Sequence, residues 1–475
     1  MSDKKQLLWT NVALMSFTAV WGFGNVVNNY ANQGLEVIFS WIFIMLIYFI
    51  PYCLMVGELG SVFSDSEAGV SSWIKSTVGK KWAYFAAWTY WAVHVPYISQ
   101  KPQSGIIALG WLFNGNGDIV DKMDPVLLSF VCLLIFLFFV FLVSRGISSL
   151  KILGTLAGSV MFVMGILYTI MALAAIPLFG QTVATTDLSI DTFIPTINLA
   201  YFTTFSMLIF AVGGIEKLSP YAGATKDAKK GFPKAMIACA IMVIISAIGG
   251  SIAMGAMFDA ANIPNDLKMN GAYYAFQMLG EWYGLGHLFM WIYAAANATA
   301  QFTVLMISID APLKILVMAA DKEFVPTGLT KVNKHGMPTN AYKLLAVLVG
   351  VLIMLPAFGM KNVNSLFEWL LDLNSIVMPL RYLWVFVAYF ALKSAIQSGK
   401  VQNTGYTFVK NANIGKIIAG WCFAFTVFAC ILGMAPEAEA GTSAYTFELV
   451  LNVLTPFVLI GLGIIMPLFA RKLNY

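Results

Sequence analysis

The 475-residue chain is 59% hydrophobic and 11% charged, with mean hydropathy +0.79 and formal net charge +5. Soluble domains are about half apolar and about a quarter charged, so this composition excludes a soluble globular protein. The lysines are scattered over alternate short loops rather than gathered on one face or tail, which excludes a nucleic-acid-binding patch.

Apolar runs of about 20 residues, enough to cross a hydrocarbon core of roughly 30 Å, recur from end to end. They predict an all-α polytopic membrane protein with twelve transmembrane helices in a single membrane domain, residues 1–475. The spans run over about 9–32, 36–63, 82–113, 125–144, 150–178, 197–222, 233–258, 284–316, 340–358, 364–392, 414–434 and 446–470. The first run lacks a small-residue cleavage pattern and is interrupted by glycine, so no cleavable signal peptide is expected. One set of loops holds Lys4, Lys5, Lys75, Lys80, Lys81, Arg145, Lys151, Lys226, Lys229, Lys230, Lys331 and Lys334. The opposite set carries only Lys122, Lys268 and Lys361 among several carboxylates, including Glu437 and Glu439. Positive charge stays inside; the chain is therefore expected in the plasma membrane with both termini cytoplasmic.

Span 1 contains AVWGFGNVVNN, Ala19–Asn29. Unwound backbone at membrane depth is tolerated only where protein, water or a ligand supplies partners. Gly22 and Gly24 permit such a break and a close approach to the main chain, and Asn25 and Asn28 add polar groups. Span 6 contains FAVGGIEKLSP, where Gly213 and Gly214 are followed by Glu216 and Lys217. Interrupted spans at corresponding places in two halves point to an inverted-repeat transporter with a midplane site. Half-helix N-termini attract a carboxylate and free carbonyls accept from an ammonium, a combination that suits an α-amino acid.

Other charges fall inside the spans. In span 3, His94, Tyr97, Ile98 and Lys101 share one helical face; Lys101 faces either a counter-charge or the outer headgroups. In span 10, Glu368 and Asp372 share a face and would receive a substrate ammonium or pair with Lys101 or Lys217, and Arg381 marks the cytoplasmic half of the helix. Glu58, Asp310 and Lys314 lie toward cytoplasmic ends, with structural roles expected. The five cysteines sit in apolar runs without metal spacing, and the three histidines are in different segments. There is no phosphate-binding glycine loop. No enzyme, metal site or cofactor is expected; the partners are small amino acid and amine substrates and the lipid bilayer.

At WGFGN and GGIE the chain resembles the amino acid–polyamine–organocation (APC) superfamily, in particular its glutamate/GABA-antiporter branch. SEAGVSSWIKSTVGKKWAYFAAW (Ser66–Trp88) is similar to that family's first cytoplasmic loop, and APLKILVMAADKEFVPTGLTKVNKHGMPT (Ala311–Thr339) to the end of its span 8 and the loop after it. The resemblance implies a five-plus-five inverted repeat, about 9–178 and 197–392, with two additional helices at about 414–470. It places Val20, Gly22, Phe23 and Gly24 at the substrate's carboxylate and amino group. It makes Phe210 an aromatic gate, Gly213 a carbonyl partner of the amino group, Ile98 a neighbour of the substrate and Glu216 a coupling carboxylate. Relatives usually follow that glutamate with a small residue; here Lys217 favours its charged form. Exchange of an amino acid for its decarboxylation product is the implied activity. Phe23, Tyr97, Phe210, Phe302 and Trp369 around the expected pocket favour a tyrosine/tyramine exchanger. Glutamate/GABA exchange and a proton-coupled neutral amino acid permease are the alternatives, with a transport-dead membrane sensor more remote.

Overall fold

The computed structural model describes residues 7–65, 69–146, 148–264, 266–317, 321–354, 357, 371–402, 405–436 and 440–474. Lys4, Lys5, Lys361, Glu368, Trp369, Glu437 and Glu439 lie outside the described residues.

Among the described residues nine helical stretches are long and apolar enough to cross a membrane. The first, Trp9–Val62, holds spans 1 and 2, which meet at Gly34. That glycine turns at φ +56° with the Ala260 Cβ 3.1 Å from where its own Cβ would stand, a backbone that L side chains rarely adopt. Span 3 is built from Lys80–Ala92 and His94–Asn114, polar enough to escape a hydropathy criterion, and span 9 is the shorter Thr339–Met354. With these, each of the twelve expected spans is represented by a helix among the described residues.

Span 2 carries a π-turn, Met45–Phe49, just before Pro51. Proline has no N–H to give the carbonyl four residues back, and Trp421 Nε1 donates to that Ile47 carbonyl at 3.1 Å instead. Between spans 7 and 8, where no span is expected, Leu267–Trp282 is a helix. It is too short and polar to span, and its aromatic face packs inward: Tyr273 stacks on Trp111 at 5.1 Å and Phe276 on Tyr293 at 4.4 Å.

Spans 1 and 6 are each two half-helices. Span 1 runs Trp9–Val20, is extended at Trp21 and Gly22, and resumes as Phe23–Gln33. Span 6 runs Phe205–Val212, unwinds at Gly213 and Gly214, and continues as the tighter Ile215–Ala224. The outer ends of this pair are clasped at the N-terminal side of the bundle, where Leu7 N–H donates to Ala224 O and Lys226 N–H to Leu7 O, both at 2.8 Å. Two buried ion pairs lie toward the same side. Glu58 accepts from Lys393 at 2.6 Å and Tyr389 at 2.7 Å; Asp310 accepts from Lys314 at 2.8 Å, Tyr221 at 2.6 Å and Tyr342 at 2.7 Å. Each carboxylate is thus fully used in holding helices together.

Candidate functional site

A cavity of about 150 Å³ lies between the two breaks. Its wall includes Val20, Gly22, Gly24, Asn25 and Asn28 of span 1, and Phe210, Gly213 and Lys217 of span 6. Span 3 adds Tyr97 and Lys101, span 8 Gln301, span 10 Arg381 and Tyr382, and the unexpected helix Lys268.

The four glycines of the breaks serve two different ends. A Cβ at Gly22 or Gly24 would meet nothing within 4 Å, so their missing side chains are cavity space. A Cβ at Gly213 would stand 2.0 Å from the Tyr382 ring, and one at Gly214 would stand 2.7 Å from Arg381 Nη2. Gly214 also needs φ +103°. The span 6 pair therefore exists to let span 10 close onto the break.

Backbone groups freed at the breaks have defined fates. Asn25 Nδ2 donates to Val20 O at 3.2 Å and to Ala211 O at 3.1 Å, so one side chain ties the C-terminal ends of both first half-helices. Asn25 N–H returns to Gly22 O at 2.9 Å, while Phe23 and Gly24, as first residues of their half-helix, have N–H groups with no intrahelical acceptor. Asn28 Oδ1 is buried at the cavity wall with no hydrogen-bond partner among the described residues. The break thus presents free donors, and the cavity wall an unpaired acceptor.

The charges pair differently from the sequence expectation. Glu216 makes no ion pair with Lys217. It is fully buried, accepts from Tyr52 OH and from Tyr90 OH at 2.9 Å, and sits 3.1 Å from Arg381 Nε. Neighbours on a helical turn point apart, and the larger guanidinium reaches the carboxylate from span 10. Arg381 accordingly lines the cavity. Its Nη1 meets His94 Nε2, whose Nδ1 donates to Tyr90 O at 2.6 Å. That pattern leaves the imidazole neutral, an acceptor on one side and a donor on the other. His94 lies behind the arginine and not on the cavity wall.

Asp372 lies 3.9 Å from Lys268, not beside Lys101 or Lys217; the helix that brings Lys268 inward was not foreseen. Lys101 does not extend to the headgroups. Its Nζ lies 4.5 Å from the Tyr97 ring centre and donates to Gln301 at 3.3 Å. Three further expectations are corrected by packing. Ile98 is buried in the core and faces away from the cavity. The Phe23 side chain packs edge-on against Tyr168 at 4.7 Å and Phe276 at 5.3 Å, leaving only its main chain near the break. Phe302 stacks on Phe139 at 5.0 Å. Of the expected aromatics, Tyr97 and Phe210 line the cavity, with ring centres 6.3 Å apart. Arg381, Lys268 and Gln301 were missed as wall residues; for Arg381 the signal was its mere presence inside a span, which points to function by default.

Comparison with known proteins agrees with this architecture. Residues 7–462 match the family described as amino acid permease. The chain belongs to that family. It is 48% identical over 475 residues to the aspartate/glutamate permease AcaP of Lactococcus lactis subsp. cremoris (strain MG1363), covering 99% of this chain and 96% of that protein. It is 25% identical over 442 residues to a glutamate/gamma-aminobutyrate antiporter of Lactococcus lactis subsp. lactis (strain IL1403), covering 89% and 83%. Among solved structures it is similar to MhsT in complex with L-phenylalanine, with TM-score 0.63 at 16% identity, over 89% of this chain and 97% of that one. The last likeness concerns the fold, a five-plus-five inverted repeat with broken spans 1 and 6. The protein is thus a multi-pass membrane transporter of the APC superfamily and not an enzyme.

Proposed function

We propose that this amino acid permease carries acidic amino acids, aspartate or glutamate, by alternating access around the two breaks. One observation carries the reading. Lys101, Lys217, Lys268 and Arg381 line the cavity, and among the described residues no carboxylate does. A cationic, mostly buried wall selects for an anion, because desolvated charges need counter-charges. The α-carboxylate would lie at the Phe23 and Gly24 N–H groups, the α-ammonium at Asn28 Oδ1 and the span 6 carbonyls, and the side-chain carboxylate among the cations. The aspartate/glutamate permease at 48% identity supports this choice. The tyrosine/tyramine alternative loses part of its support, since two of the four described aromatics invoked for it, Phe23 and Phe302, pack elsewhere.

Val20, Gly22, Gly24, Asn25, Tyr97, Phe210 and Gly213 form the substrate site in this reading, with Glu216 holding Arg381 in place. The repeats are taken as about 9–178 and 197–392, with about 414–470 as additional helices. Loop lysines favour cytoplasmic termini, which makes the clasped N-terminal side the closed inner gate.

Proteoliposomes loaded with glutamate, GABA or tyramine, then offered labelled glutamate, aspartate or tyrosine, test the reading. Acidic amino acid uptake competed by aspartate and not by tyrosine is expected. Tyrosine entry stimulated by internal tyramine would replace this reading with aromatic exchange. Stimulation of glutamate entry by internal GABA identifies antiport, and entry driven only by an imposed proton gradient identifies symport.

A further inference from the structure

The four cations of the cavity differ in what already neutralises them. Arg381 is fixed on Glu216, Lys268 faces Asp372, and Lys101 is half-buried and bonded to Gln301. Lys217 is 1% exposed, and its Nζ reaches only Ser308 Oγ at 3.5 Å and the Tyr97 ring at 5.0 Å. No carboxylate lies within ion-pair distance of it among the described residues. Every neighbouring acid is otherwise engaged: Glu216 by Arg381 and two tyrosines, and Asp310, two residues beyond Ser308, by Lys314 and two more. From span 3 the residues facing Lys217 are Tyr97, Lys101 and the neutral His94; from span 10 they are Arg381 and Tyr382. Its surroundings are therefore rich in positive charge and hydroxyls; Glu216 acts on it through space, but its oxygens are taken up by Arg381, Tyr52 and Tyr90.

We propose that Lys217 is the specificity-determining residue for the substrate's second carboxylate, which supplies the counter-charge that this buried lysine lacks. The inference rests on the acidic-substrate reading and names the residue that enforces it. Lys217 is held next to the break, since its N–H bonds Gly214 O at 2.9 Å. A substrate whose α-groups occupy the breaks therefore projects its side chain toward Lys217. Lys101 and Lys217 both lie against the one Tyr97 ring. A carboxylate between them converts mutual repulsion into two attractions. Glutamine fills nearly the same volume as glutamate but brings no negative charge to either lysine, so it forgoes the attraction that glutamate gains there.

Lys217→Met removes the charge and keeps the apolar stem. Because Lys217 has no acid to abandon, the purified variant without substrate is expected to unfold at the same temperature as the unaltered protein or higher. Glutamate should stabilise the unaltered protein and not the variant. In proteoliposomes the glutamate-to-glutamine uptake ratio should fall at least tenfold. A variant that misfolds or unfolds earlier would overturn the proposal, because Lys217 would then be a structural anchor. So would a folded variant that glutamate still stabilises, or one that keeps its uptake ratio. If the unaltered carrier itself takes up neither aspartate nor glutamate, the acidic-substrate reading fails instead, which separates the two.

Discussion

Replacing Gly24 and replacing Gly213 should have opposite signatures, although both are break glycines. Gly24 faces open space, so Gly24→Leu should leave folding and membrane insertion intact while filling the site. Uptake should be lost with little change in thermal stability, and normal uptake would remove this break from the binding role. Gly213→Ala forces its methyl into the Tyr382 ring. Overpacking of this kind costs about 1–3 kcal/mol, so a lowered melting temperature is expected along with lost transport. Asn25 joins the two behaviours. Its amide bonds two carbonyls from different spans, and leaving a buried acceptor unpaired costs about 1–3 kcal/mol. Asn25→Leu should thus destabilise the protein and abolish uptake together, as read by thermal unfolding and flux on one preparation.

Span 10 is the element that completes the site. Arg381 and Tyr382 reach the span 6 break only because Gly213 and Gly214 have no side chains, and Glu216 fixes the guanidinium there. Removing one member of a buried ion pair leaves the other uncompensated, at a cost of about 3–5 kcal/mol. Glu216→Ala should therefore lower stability by that order, measured by thermal unfolding in detergent. If Glu216 serves to hold Arg381, Glu216→Gln should weaken substrate affinity without moving the pH profile of the remaining uptake; a displaced profile would restore the coupling role that the resemblance implies.

At the scale of the whole molecule, the side where Leu7 clasps the end of span 6 is also where Glu58 and Asp310 hold their lysines. Backbone bonds and buried ion pairs tie that side together, so access to the cavity is expected from the opposite face. The five native cysteines are all buried, so an introduced thiol is a clean reporter. Gln301→Cys should react with a membrane-impermeant maleimide added outside cells, and glutamate should slow the reaction. Labelling only from the cytoplasmic face would invert the orientation assigned from the loop lysines.

Residue order alone determined the membrane class, the twelve spans and the positions of both breaks. Apolar length and glycine interruption are local properties, legible wherever Gly22–Gly24 and Gly213–Gly214 stand. The use of each polar group was not local. Glu216 and Lys217 are adjacent in sequence, yet one faces Arg381 and the other the cavity, because helix rotation and the reach of span 10 decide it. Phe23 and Phe302 read as pocket aromatics until packing turned them into the core. Lys268 entered the site on a helix whose polar sequence resembles a loop. The cationic character of the cavity was thus a tertiary outcome, set by which long-range partners neutralised which charges.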